Sequence, residues 1–132
     1  MYKQFNAMAA TFLSRMEETF PHESKVKLYH QQFIIVQGMN SKKPVEMFIE
    51  NMVPFGEKIL SRDEMFFKKD ELVNNAESIS GKMGLIKYWD SLNDQTKNSI
   101  WEYIQGLYIL GMACLGKNAE LQEMIIKTGF TG

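Results

Sequence analysis

A chain of 132 residues with a formal net charge of -1 suits one domain with one core, and it carries no single-signed field that would hold DNA, RNA or an anionic membrane. Hydrophobic residues make up 45% and charged residues 23%, the balance of a globular chain rather than a disordered one. The single cysteine, Cys114, excludes an intramolecular disulfide, so the core alone must stabilise the fold, as suits a reducing compartment.

The first element is strongly periodic. Phe5, Met8, Ala9, Phe12, Leu13, Met16 and Phe20 recur at three- and four-residue steps, which predicts an amphipathic helix over 2–20 that Pro21 stops. Ser24 is the expected cap of a second helix. Val26, Tyr29, Phe33 and Val36 give its inward stripe, and Leu28 and Ile35 are expected to widen it. The run Phe33-Ile34-Ile35-Val36 has some β-propensity, and Gly38 with Asn40 ends the element. Ser41 and Pro44 read as the start of a third helix with a stripe of Val45, Phe48, Ile49 and Met52. Pro54 breaks or kinks it, Gly56 loosens the next turn, and Ile59 and Leu60 close the stretch.

Ser61 and Glu64 have the spacing of a capping box, opening a helix that would carry Met65, Phe66, Phe67, Leu72 and Val73. The polar stretch 74–82, with Gly81 and Gly84 nearby, is the best candidate for an exposed loop. Leu85, Tyr88, Trp89 and Leu92 predict a short helix. Asn93 or Asp94 then caps the central element, whose stripe is Ile100, Trp101, Ile104, Leu107, Tyr108, Gly111, Met112 and Leu115. Gly106, Gly111 and Ala113 would let a neighbouring helix come close, and Gly116 ends the helix. A last helix over 118–127 carries Leu121 and Ile125. The expected fold is therefore all-α: one domain over residues 1–132, a compact bundle of about five to seven helices.

Residues suited to chemistry are sparse. His22 and His30 form no His-x-x-x-His pair and flank no cysteine, so solvated histidines are the expectation and no metal site is predicted. Cys114, among Met112, Ala113 and Leu115, reads as a buried small hydrophobe rather than a nucleophile. Asp63, Glu64, Asp70 and Glu71 sit at helix starts, where acidic side chains offset the helix dipole. No phosphate loop, dinucleotide turn or calcium loop occurs, and Gly81-Lys82-Met83-Gly84 is too short to count as one. No catalytic residue and no cofactor are predicted, and a non-enzymatic role is the expectation. Lys25, Lys27, Lys42 and Lys43 are only a modest basic concentration, and Lys68 and Lys69 run straight into Asp70 and Glu71. Nucleic acid is thus a secondary expectation. The first 20 residues carry Lys3, Arg15, Glu17 and Glu18 rather than a secretory signal. The longest apolar run, 108–115, falls far short of the ~20 residues a membrane span needs.

The 10 methionines and 9 phenylalanines are a surplus for short helices to hide. Ile34, Phe67 and Tyr103 lie off the best stripe of their elements and are the expected partner-binding residues, for another protein or for self-association.

Two stretches carry a resemblance. One is Val53-Pro54-Phe55-Gly56-Glu57-Lys58-Ile59-Leu60-Ser61-Arg62-Asp63-Glu64-Met65-Phe66-Phe67. The other is Tyr88-Trp89-Asp90-Ser91-Leu92 followed by Lys97-Asn98-Ser99-Ile100-Trp101-Glu102-Tyr103-Ile104. They resemble small helical proteins encoded by large double-stranded DNA viruses of eukaryotes, in which a proline-centred turn leads to an acidic-aromatic helix start and a Trp-x-x-Leu precedes an Ile-Trp-x-Tyr helix. The resemblance implies an origin more than an activity. The expectation it supports is a viral protein-interaction or virion-associated, minor structural protein, located in the host cytoplasm or the virion. Without a viral origin, the expected compartment is cytoplasmic or nuclear. The alternatives are a nucleic-acid-associated viral factor and a divergent viral helical death-suppressor, whose signature Asn-Trp-Gly-Arg is absent here.

Overall fold

The computed structural model describes residues 1–67 and 88–131. Among them the chain forms six α-helices and three 3-10 turns. In chain order these are α1 (Tyr2–Thr19), α2 (Ser24–Met39), α3 (Lys43–Met52), a turn at Val53–Phe55, α4 (Gly56–Ser61), turns at Glu64–Phe67 and Trp89–Ser91, α5 (Asp94–Cys114) and α6 (Asn118–Thr128). No strand occurs among the described residues, and the all-α helical bundle expected from periodicity is the observed fold.

α5 is the central element, packing against α1, α3, α4 and α6. Its ends are well defined. The Asn93 side chain accepts from the Thr96 backbone N–H at 2.8 Å. At the other end Gly116 adopts φ +71, the Lys117 N–H reaches back to the Met112 carbonyl at 2.9 Å, and the Gly116 N–H to Ala113 at 3.1 Å. That pair of bonds is a Schellman motif, which needs the left-handed residue glycine supplies cheaply. Ile100, Trp101, Ile104, Leu107, Tyr108 and Met112 are all buried, and Leu115 is half-buried. α1 lays Phe5, Ala9, Phe12, Leu13 and Met16 into the same core. α3 adds Val45, Phe48, Ile49 and Met52, and Pro54 converts its end into the Val53–Phe55 turn by removing a backbone donor.

Gly111 is where α3 meets α5 most closely. A Cβ there would lie 2.6 Å from Ile49 Cδ1 and 2.8 Å from Cγ1. Gly111→Val should therefore destabilise by about 1–3 kcal/mol through overpacking. Gly38 in α2 has nothing within 4 Å of such a Cβ, so Gly38→Ala should stabilise by about 0.5–1 kcal/mol. Chemical denaturation of the two variants checks the contrast.

The structure corrects the expected starts of two elements. Ser24 is the first residue of α2 rather than its cap; Glu23 occupies the cap position and makes no side-chain capping bond. Glu23 is buried and accepts from the Tyr88 hydroxyl at 2.9 Å. The Ser61–Glu64 capping box does not form either. Ser61 ends α4 with its hydroxyl donating to the Lys58 carbonyl at 3.4 Å, and Arg62 turns the chain with φ 54. Asp63 takes over the capping, its carboxylate accepting from the Met65 N–H at 3.0 Å. Phe66 and Phe67 therefore sit in a 3-10 turn, as does Trp89, where spacing predicts helix at these residues. Leu72, Val73, Gly81, Gly84, Leu85, the stretch 74–82 and the charged residues 68–71 lie outside the described residues.

Candidate interaction surface

The two stretches that carry the resemblance meet in space. Phe67 stacks on Trp89 with ring centroids 3.8 Å apart and planes 8° from parallel, and both meet Trp101 edge-on at 4.7 and 5.8 Å. Phe66 packs between Phe55, Phe67 and Trp101. The Trp89 indole donates to Glu64 Oε1 at 3.0 Å, and Lys97 Nζ lies 3.7 Å from that oxygen and over the Trp89 ring.

Beside this cluster runs a polar chain. Buried Gln105 donates to the Ile59 and Leu60 carbonyls at the end of α4 and accepts from Arg62 Nε at 3.2 Å; Arg62 also donates to Asn98 Oδ1 at 2.6 Å. Gln105 is buried and Arg62 half-buried, so this polar chain is a clasp between α4 and α5 that reaches the surface at exposed Asn98. Gln105→Leu removes the side-chain donor to both carbonyls, leaving that of Ile59 with only the Arg62 backbone N–H at 3.3 Å, and should cost about 1–3 kcal/mol, measured by urea unfolding.

The three residues expected at a partner surface do not come together. Phe67 is fully buried in the aromatic cluster, because the turn at Glu64–Phe67 points it inward; this corrects its expected exposure. Tyr103 is half-buried, its ring 5.3 Å from Phe12, on a polar cleft between α1 and α5 that also includes Arg15, Glu18, Gln95 and Ser99. Only Ile34 stands in solvent, 57% exposed.

α2 departs most from expectation. Val26 is buried and Tyr29, Phe33 and Val36 half-buried, as the inward stripe requires. Leu28 and Ile35 do not widen that stripe. They are 55% and 61% exposed, and Met39 beyond them is 83% exposed. Leu28, Gln32, Ile35 and Met39 follow one another at steps of four, three and four, the spacing of a helix-packing seam. α2 therefore carries two stripes, one on the core and one on solvent. The tetrad Phe33-Ile34-Ile35-Val36 was the legible signal, since four consecutive apolar residues must cover more than one helix face.

Between α2 and α3 the outward stripe borders an apolar cleft of about 110 Å³, floored by Phe12, Leu13 and Leu107, with Phe33 and Val36 on one wall and Met47 and Phe48 on the other. Its polar groups are Tyr29, Gln32 and Asn51. Burial pushes the Tyr29 phenol up to about 12 from 10.0, so it stays neutral across the physiological range. The unfolded chain releases this proton near pH 10 while the fold holds it to about pH 12. The Tyr29 contribution is thus complete below pH 10 and is lost as pH rises towards 12. Ultraviolet titration should show late tyrosinate ionisation whose amplitude Tyr29→Phe reduces, the remainder belonging to Tyr108, whose phenol burial also pushes up.

His30 is not simply solvated: its Nδ1 lies 2.9 Å from Glu17 Oε1. His22 is exposed. Cys114 is half-buried rather than buried; desolvation raises its thiol and the N-terminal ammonium pulls it back in part. Among the described residues no three His, Cys, Asp or Glu side chains gather as a metal site would require, and no helix is long and apolar enough to cross a membrane. Set against family models, curated proteins and solved structures, the chain finds no match.

Proposed function

We propose that this chain is a non-enzymatic protein-interaction protein that works by presenting α2 to a polypeptide partner. The observation that carries the reading is the outward stripe of Leu28, Ile35 and Met39 on a helix whose opposite face is already used by the core. Apolar side chains grouped on one exposed face and continuous with a cleft are the usual mark of an interaction site. A viral setting, as a virion-associated or host-directed factor, is supported by the resemblance of the 53–67 and 88–104 stretches. Net charge -1 weighs against the nucleic-acid alternative.

A photo-crosslinking amino acid at position 35, expressed in cells, tests the reading. Crosslinks to protein should form from position 35 and be largely absent from position 3, an exposed site on α1. Equal, sparse labelling from both positions would contradict it.

A further inference from the structure

We infer that the cleft between α2 and α3 is a binding site for a small neutral molecule with one aromatic ring and one hydrogen-bonding group, a ligand of the phenol class. The site lies on the inward side of α2 and does not depend on what meets Leu28, Ile35 and Met39.

Volume sets the size of the guest. The cleft holds about 110 Å³. An apolar cavity of roughly 150 Å³ stays dry and takes up benzene, so this space suits a single ring. The walls select an aromatic one. Phe5, Phe12, Tyr29, Phe33 and Phe48 line the cleft, with Met47 beside them. Phe5 and Phe48 already meet edge-on, their ring centroids 5.5 Å apart and their planes at 63°. A guest ring extends this packing, because the edge and face of aromatic rings carry opposite partial charge, and a thioether sulfur attracts a ring edge. A saturated guest gains burial alone.

Charge excludes ionised ligands. No Lys, Arg, His, Asp or Glu lines the cleft. An ion entering it would give up its hydration and meet no counter-charge.

The polar group of the guest answers to Tyr29 and Asn51. Both line the cleft, and among the described residues neither side chain has a hydrogen bond to another protein group. Burial keeps the Tyr29 phenol protonated, so it offers a donor that no protein acceptor takes. A donor left unmatched in apolar surroundings costs free energy, which a ligand acceptor recovers. Tyr29 lies in the N-terminal half of α2 and Asn51 in the last turn of α3, both remote from residues 40–42 that join the two helices. Val36 and Pro44 line the cleft nearer that join. The cleft therefore has a polar end and an apolar end. Water finds partners at the first and lacks them at the second, so a molecule with both characters displaces it with a gain. A ring whose own hydroxyl reaches Tyr29 and Asn51 leaves only exposed Gln32 for a peptide backbone, which favours a free molecule over a ring carried on a polypeptide.

NMR of isotope-labelled methionine methyls in the whole chain, titrated with phenol, tests the inference. The Met47 methyl should shift and saturate with a dissociation constant on the order of 1 mM. Toluene, which has the ring without the hydroxyl, should bind about tenfold more weakly, and benzoate should not bind. Tyr29→Phe should weaken phenol about tenfold and leave toluene unchanged, a difference that lost packing does not produce. Met47→Trp, which fills the cleft from a position 41% exposed, should abolish phenol binding while the helical circular-dichroism spectrum is kept. N-acetyltyrosinamide, the same ring on a peptide-like backbone, should bind no more tightly than phenol. Three results would overturn the inference: no saturable Met47 shift at about ten times that concentration, benzoate binding as well as phenol, or equal phenol binding by wild type and Tyr29→Phe. Phenol binding that survives Met47→Trp in a folded chain would place the ring elsewhere and overturn it too. N-acetyltyrosinamide binding about tenfold more tightly than phenol would give the site to a polypeptide and overturn the free ligand.

Discussion

Trp101→Ala should lower the stability of the fold by about 3–5 kcal/mol. Trp101 is 4% exposed in the middle of α5 and touches Phe66, Phe67 and Trp89, three rings contributed from either side of residues 68–87. Truncation removes the area these rings cover and leaves a void that the two neighbouring turns would have to collapse to fill. Edge-on aromatic pairs add about 0.5–1.5 kcal/mol beyond area. The loss is read as a shift of the urea midpoint at constant slope, since a changed slope would report a different unfolded or native compactness. A loss below about 1 kcal/mol would place the ring outside the core and undo the aromatic cluster.

Phe12→Ala should cost a similar amount, about 3–4 kcal/mol, for a different reason. Phe12 is 1% exposed and is at once part of the core, the floor of the α2–α3 cleft and the surface against which Tyr103 packs. The space it vacates joins a cleft already open at one side, so water can enter part of it and the penalty sits at the lower end of the range. Ile35→Ala, by contrast, should change stability by less than about 0.5 kcal/mol in dilute solution, because its side chain is 61% exposed. The pair of variants separates the two faces that the fold gives to Phe12 and Ile35. Thermal unfolding followed by circular dichroism reads both.

Much of the fold was legible in residue spacing. The α1 stripe, the Pro54 break, the Asn93 cap and the Gly116 stop are local: each rests on one residue type meeting one backbone requirement. The misplaced features are those where long-range contacts outcompete local ones. Ser61 and Glu64 have capping-box spacing, but the Trp89 indole claims the Glu64 carboxylate and Arg62 turns the chain left-handed, with its guanidinium held by Gln105 and Asn98. Phe67 reads as surplus on a helix, yet a 3-10 turn aims it at Trp89. Neither partner is near enough in sequence for spacing alone to show it.

The candidate surface was legible in part. Ile34, which spacing puts off the inward stripe, is exposed, while Leu28 and Ile35, which spacing alone would add to that stripe, are exposed as well. A helix with two stripes has little net amphipathicity, and it is found instead by fitting two seams to one sequence.

Peroxide oxidation of the native methionines, mapped by peptide mass spectrometry, tests the outward stripe most directly, because oxidation rate follows solvent access. Met39 is 83% exposed, whereas Met16, Met52 and Met112 are at most 2% exposed. In dilute protein Met39 should oxidise first and those three only on unfolding. Met39 oxidising as slowly as Met52 in dilute protein would mean that α2 has no solvent-facing stripe, and would contradict the account.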